Sequence, residues 1–180
     1  WVCDRSITWA RTPVAAGSST VTYALGDIGP GGGLVFLISG GQTYEMAPKT
    51  WSGSSSDDTP TLAWCNTTNT TLAGTFGTAI GTGAQNTVLM DTGCISGAGQ
   101  EAADYVAGGY SDWFLPSKDE LNEMYAYSQV AGFNTATYGF ASDFYWSSSQ
   151  FNLDTAWYHD FIDDKQTLAA KFVTLRVCPV

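Results

Sequence analysis

The chain has 180 residues, a net charge of −10 and only seven Lys and Arg. Its length fits one domain that buries roughly 70% of its unfolded surface. The charge disfavours nucleic-acid backbones and anionic membrane surfaces as partners. No apolar run reaches the roughly 18 residues that insertion into a membrane would need, and many Gly, Ser, Thr and aromatic residues suit a loop-rich β or α+β domain of extracellular type.

In chain order, the N-terminal stretch to Thr22 is a candidate extra strand, through Trp9, Val14 and Val21 to Tyr23, with Ala15 to Thr20 as a link. The chain opens on Trp1 with no signal peptide, as expected of a processed or excised piece of something longer. Asp27 to Gly33 is a glycine turn. It is not a phosphate cradle, since no Lys-Ser/Thr follows and a strand comes next. Leu34 to Ile38 reads as a buried strand, Gly40-Gly41 as a hairpin turn and Thr43 to Ala47 as the antiparallel return. Trp51 to Thr71 is a long polar loop with two formal sequons, at Asn66 and Asn69, and the adjacent carboxylates Asp57 and Asp58, read as solvated rather than as a calcium site.

Thr82 is placed as the cap of a short helix to about Met90, and Ser96 precedes a second helix with Ala102, Ala103, Tyr105 and Val106 inward. An extended Trp113 to Leu115 then runs through Pro116 into Ser117, with Glu120 three residues on. That is a capping box, in which the serine oxygen takes a helix amide and the glutamate reaches back. Leu121, Met124 and Tyr125 continue as an apolar stripe of a helix from Lys118 to about Tyr127. Gln129 to Gly139 reads as a polar loop. Three short strands follow around Phe144 to Ser148, Trp157 to Ile162 and Phe172 to Val177, joined by Ser149 to Thr155 and Asp163 to Ala170. The predicted class is α+β, a mixed or antiparallel sheet with two or three short helices and long loops.

Catalytic signatures are missing. There is no GxSxG elbow, HExxH or Walker motif. The sole histidine, His159, has Asp160 beside it and Ser147 to Ser149 nearby, but such a grouping arises readily in a serine-rich chain. Asp163-Asp164 could serve glycoside hydrolysis only across a cleft from another carboxyl. No cofactor, metal site or catalytic residue is expected, and the chain is read as a non-enzyme. The four cysteines, Cys3, Cys65, Cys94 and Cys178, favour two disulfides over a zinc site, with three pairings open.

Several ordered motifs carry a resemblance. They are Ile28-Gly-Pro-Gly-Gly-Gly-Leu-Val-Phe36, Ala79-Ile-Gly-Thr-Gly-Ala-Gln-Asn-Thr87, Gly109-Tyr-Ser-Asp-Trp-Phe-Leu-Pro-Ser-Lys-Asp-Glu-Leu-Asn122, Gly139-Phe-Ala-Ser-Asp-Phe-Tyr-Trp-Ser-Ser148, Ala156-Trp157 and Arg176-Val177. Over Asp27 to Val180 the chain resembles the Lcl C-terminal domain family of bacterial and phage domains. The resemblance implies a C-type-lectin-like fold over 27–180, with residues 1–26 as an N-terminal strand or linker packing beside the C-terminus. It implies pairing of Cys65 with Cys94. It also makes Cys3 the natural partner of Cys178, which stands where the family usually has arginine. It further implies an extracellular, cell-surface or virion location, and a homotrimer or part of a larger assembly. Polyanion binding, associated with the proteins that name the family, is not carried over to so acidic a chain.

In folds of this kind the late strands and their loops form the ligand face. The resemblance therefore points to Gln150, Phe151, Asn152, Leu153, Asp154, Tyr158, His159, Asp160, Asp163, Asp164 and Gln166 as ligand-binding residues, a mixture of rings and small polar groups like that of a paratope. The expected partner is a host-cell surface protein or glycan. The same stretch is similar to the variable regions of proteins diversified by retroelements. Trp146, Ser147, Ser148, Ala156, Trp157, Phe161 and Arg176 look fixed, and between them Phe151, Asn152, Leu153, Asp154, Tyr158, His159, Asp160 and Asp163 are reachable from randomised asparagine-type codons. No Glu-Pro-Asn or Trp-Asn-Asp motif supports a calcium-dependent sugar site. The expectation is thus an adhesin or receptor-binding domain. A structural module of a tail, capsid or filament is the alternative, and a glycan hydrolase comes third.

Overall fold

The computed structural model describes residues 22–53 and 60–180. The first hairpin is set by glycine. Gly40 and Gly41 have φ of 59° and 80°, the pair of left-handed conformations that a two-residue type I′ turn requires. It joins β1 (Leu34–Ser39) to β2 (Gln42–Met46), antiparallel with an irregularity between Val35 and Leu37. These two strands form their own sheet, and Leu34, Val35 and Phe36 are all buried, as the unbroken apolar run predicts.

The second sheet has the order β3-β7-β4-β5-β6. Its strands are β3 (Thr61–Ala63), β4 (Phe144–Gln150), β5 (Thr155–Asp160), β6 (Lys165–Ala170) and β7 (Thr174–Arg176). Neighbouring strands are antiparallel except β4 with β7, which is parallel. Together with the helices this is an α+β architecture of C-type-lectin-like type. Two of these strands depart from expectation. β3 lies in the stretch read as a polar loop, and β6 in the stretch read as a connection. Lys165 to Ala170 carries little apolar alternation because β6 is an edge strand, paired with β5 alone.

The helices are α1 (Gly83–Gly93), α2 (Ala98–Ala103), α3 (Lys118–Ser128) and the single turn α4 (Thr135–Tyr138), the last within the expected loop. The capping box of α3 is present. Ser117 Oγ accepts from Glu120 N at 3.3 Å, and Ser117 N donates to Glu120 Oε2 at 2.6 Å. Glu120 is fully buried, and its other oxygen accepts from Gly81 N at 2.7 Å. Thr82, by contrast, does not cap α1 through its side chain; its hydroxyl donates to Ala79 O at 2.7 Å. Val106 faces solvent rather than the core, while Tyr105 packs inward between Trp51 and Trp113.

Two core clusters flank the five-stranded sheet. One gathers Trp51, Trp64, Trp113, Trp146 and Met90 around a disulfide between Cys65 and Cys94, whose Cα atoms are 5.6 Å apart. Three buried indoles find backbone acceptors: Trp51 on Val177 O, Trp64 on Ser147 O and Trp146 on Leu62 O. Gly97 is required here. It has φ of 138°, and a Cβ at that position would stand 2.8 Å from Trp64 O and 2.9 Å from Cys65 Cα. The other cluster joins the hairpin to α3 through Phe36, Met46, Leu121, Met124, Tyr145 and Phe161. The C-terminus closes it, since Val180 and Phe114 exchange backbone hydrogen bonds of 2.8 and 2.9 Å.

The pairing of Cys65 with Cys94 matches expectation. Cys178 has no disulfide partner among the described residues, and burial pushes its thiol up to about 12; the bond expected between it and Cys3 reaches outside them. Cys3 lies outside the described residues, as do nearly all of the N-terminal strand or linker expected over 1–26 and the Asp57-Asp58 pair.

Candidate functional site: the tip of the β4–β5 hairpin

β4 leaves the core at Gln150, and β5 returns at Thr155, so residues 151–154 form the tip. The tip is held by its own chemistry. Asn152 Oδ1 accepts from Asp154 N (2.9 Å), Thr155 N (2.8 Å) and Thr155 Oγ1 (3.0 Å). Such Asx geometry orders a turn without a packed core. Phe151 N and Asn152 N both donate to Thr155 O, and Lys171 N donates to Asp154 O at 2.9 Å. On this ordered turn Phe151 and Leu153 are 50% and 47% exposed. Phe151 meets Trp157 edge-on at 5.7 Å, and Lys118 Nζ lies 5.1 Å from the Trp157 ring centre. Two exposed apolar side chains, a half-buried indole and one ammonium thus sit together on a rigid support.

Of the residues expected to bind ligand, the structure brings Phe151, Asn152, Leu153 and Asp154 together at the exposed tip. Asp160, Asp163 and Asp164 lie at the β5–β6 turn. There Asp160 Oδ1 accepts from Ile162 N and Asp163 N, and Asp164 adopts φ of 54°. Gln166 is partly buried, and its Nε2 donates to Lys118 O at 2.6 Å.

Three expected ligand-facing residues are turned inward. Gln150 is buried, with its Oε1 accepting from Leu72 N at 2.9 Å and from Lys171 Nζ at 2.6 Å. Tyr158 packs edge-on against Phe144 and Trp146, and burial, then Asp160, raises its pKa. His159 is fully buried on the opposite sheet face, against Tyr125 and Phe161. Its Nε2 lies 3.2 Å from Asp164 Oδ1, and its Nδ1 has no partner among the described residues. Burial pulls its pKa down, opposed by Asp164. The physical reason is the two-residue period of a strand, which sends Tyr158 and His159 to opposite faces, the first partly and the second fully covered.

The serines beside His159 are structural. Ser147 Oγ donates to Trp157 O, Asn86 Nδ2 donates to Ser148 Oγ, and Ser149 Oγ donates to Gly77 O while accepting from Lys118 N.

Sequence reasoning missed Trp157 and Lys118 as members of the exposed cluster, and Lys171 as its foundation. Lys171 is fully buried, with Nζ donating to Thr70 O at 2.9 Å and Gln150 Oε1 at 2.6 Å and lying 4.8 Å from the Trp64 ring centre. Burial lowers its pKa to about 8. Trp157 had a usable signal, since alternation from Thr155 puts it on one face; Lys171 had none.

The disulfide is of the kind that persists in oxidising compartments. Among the described residues no helix is long and apolar enough to cross a membrane. The two-sheet α+β fold and its presented hairpin define a C-type-lectin-like domain. The family model of the Lcl C-terminal domain matches residues 53–180, and the chain belongs to that family. A comparison with curated proteins found no match.

Proposed function

We propose that this is an extracellular, cell-surface or virion-surface recognition domain. It binds a host-cell surface protein or glycan by contact alone, as the terminal part of an adhesin, surface protein or phage fibre. The observation that carries this reading is the exposure of Phe151 and Leu153 on a turn fixed by Asn152 and anchored from below by Lys171. Exposed apolar groups on an ordered support make contact with little loss of conformational entropy. On this reading Phe151, Leu153 and Asp154 at the tip are open to diversification, whereas Asn152 holds the turn and packing holds Tyr158 and His159. A template repeat beside the coding locus is the genomic test.

The functional test is a screen of the purified domain against cells and a glycan array, beside a Phe151→Ala/Leu153→Ala variant. Capture by the parent alone supports the reading, and equal capture by both sinks it. Ile95 and Phe172, 89% and 68% exposed outside residues 151–154, favour a second reading, in which the domain is a structural module of a tail, capsid or filament. Concentration-dependent self-association lost in Ile95→Ser or Phe172→Ser would support it.

A further inference from the structure

A second concavity shares no residue with the tip. It is a cleft of about 520 Å³ between the glycine turn at Pro30–Gly31, strand β2, Gly81 to Ala84 and the extended Tyr110 to Phe114. That volume lies within the range of small-molecule sites. Tyr44, Tyr110, Trp113 and Phe114 supply aromatic walls, and Glu45, Asp112 and the capping Glu120 supply carboxylates; among the described residues no Lys, Arg or His lines it. Glu45 accepts one backbone N–H on each oxygen, from Gly31 at 3.3 Å and Gly33 at 2.9 Å. A carboxylate has about four acceptor positions, so Glu45 keeps capacity for further donors. Trp113 is 6% exposed, and its Nε1 has no acceptor among the described residues.

We propose that this cleft is a calcium-independent binding site for a neutral saccharide unit. Sugar hydroxyls donate to carboxylates and accept from side-chain amides and hydroxyls, and the C–H faces of a pyranose lie against aromatic rings. An organic cation would suit the carboxylates and rings but offers no acceptor to the Gln42 amide or to the hydroxyls of Thr43, Tyr44 and Tyr110, which also line the cleft. An anionic sugar meets three carboxylates on the cleft wall and, among the described residues, no compensating charge. The inference names a glycan class within the recognition reading and rests on that reading only in kind, because its residues are separate from the hairpin tip.

The test is saturation-transfer NMR of the intact domain, without added calcium. The ligands are a panel of neutral mono- and disaccharides, glucuronate and sialic acid as anions, and choline as the cation. The proteins are the parent, a Tyr110→Ala/Asp112→Asn variant and Phe151→Ala, each checked by thermal melting. The expected result is transfer to at least one neutral sugar. Its affinity falls about tenfold in the cleft variant and is unchanged in Phe151→Ala, and the charged ligands show weaker transfer. Absence of transfer to every neutral sugar overturns the proposal. So does transfer that survives the cleft variant, or transfer to glucuronate or choline as strong as to the sugars. Loss of cell capture in Phe151→Ala with sugar transfer intact would separate the fates of the two sites.

Discussion

Lys171→Met should destabilise the domain near neutral pH, and the difference should grow as the pH is raised. Lys171 Nζ donates to Thr70 O and Gln150 Oε1 and faces Trp64. Hydrogen bonds from a charged donor contribute about 1.5–3 kcal/mol each. Against them stands the burial of the ammonium, which moves its pKa from 10.5 to about 8 and so opposes the charged form by about 3 kcal/mol. The net loss expected at pH 7.5 is about 2 kcal/mol, or roughly 4–8 °C in melting temperature for a domain of this size. The sign of the pH effect follows from linkage. Between about pH 8 and 10.5 the unfolded lysine still holds its proton while the folded one has lost it. Parent stability therefore gains from this residue as pH rises, by up to about 1.4 kcal/mol per unit. The neutral amine, however, makes weaker hydrogen bonds, and above pH 10 the tyrosines whose pKa values are raised by burial act in the opposite direction. The decisive window is therefore pH 7.5 to 9.5, read by urea denaturation of parent and variant with the disulfide intact. The raw parent curve should rise across it relative to the variant curve. A difference between them that stays flat in pH, or a variant more stable than the parent at pH 7.5, would refute the claim that a charged, buried lysine holds up the hairpin.

Replacing both Cys65 and Cys94 with serine should lower stability by about 3.5 kcal/mol on the chain-entropy account of a loop with a sequence separation of 29. Non-reducing peptide mapping should find this bond in the parent. His159, buried and with a lowered pKa, should make the domain lose stability as pH falls below about 6.5. In that range the unfolded state takes up a proton that the folded state refuses. His159→Gln should flatten this dependence in melts between pH 4.5 and 7. Ser117→Ala should cost about 1–2 kcal/mol, the upper part of the range for a cap because Ser117 is buried and also donates to Ala79 O; equilibrium denaturation checks it.

Local chemistry was legible wherever one residue type answers one geometric need. Gly40-Gly41 fixed the first hairpin, and Ser117 with Glu120 fixed the start of α3. Family motifs led to the Cys65–Cys94 bond, which neither spacing nor count could choose among three pairings. What stayed hidden depended on tertiary partners. β6 reads as a linker because an edge strand needs only backbone pairing, not apolar alternation. Tyr158 and His159 look like ligand contacts because rings and polar tips suit a binding surface. Neighbours on a strand cannot share a face, though, and the sequence does not say that helix α3 covers one face and the tryptophan core the other. Lys171 gave no sign at all, since a lone lysine before a turn is ordinarily solvated.

The recognition reading stands or falls on the hairpin tip. The most direct measurement is capture of target cells by immobilised parent domain and by Phe151→Ala/Leu153→Ala at matched loading, after melting curves confirm that both are folded. Because these side chains are about half exposed, the variant should melt within a few degrees of the parent, near the small effect of surface substitutions, yet lose most of the capture. Capture unchanged in a folded double variant would contradict the account and move the binding surface elsewhere on the domain.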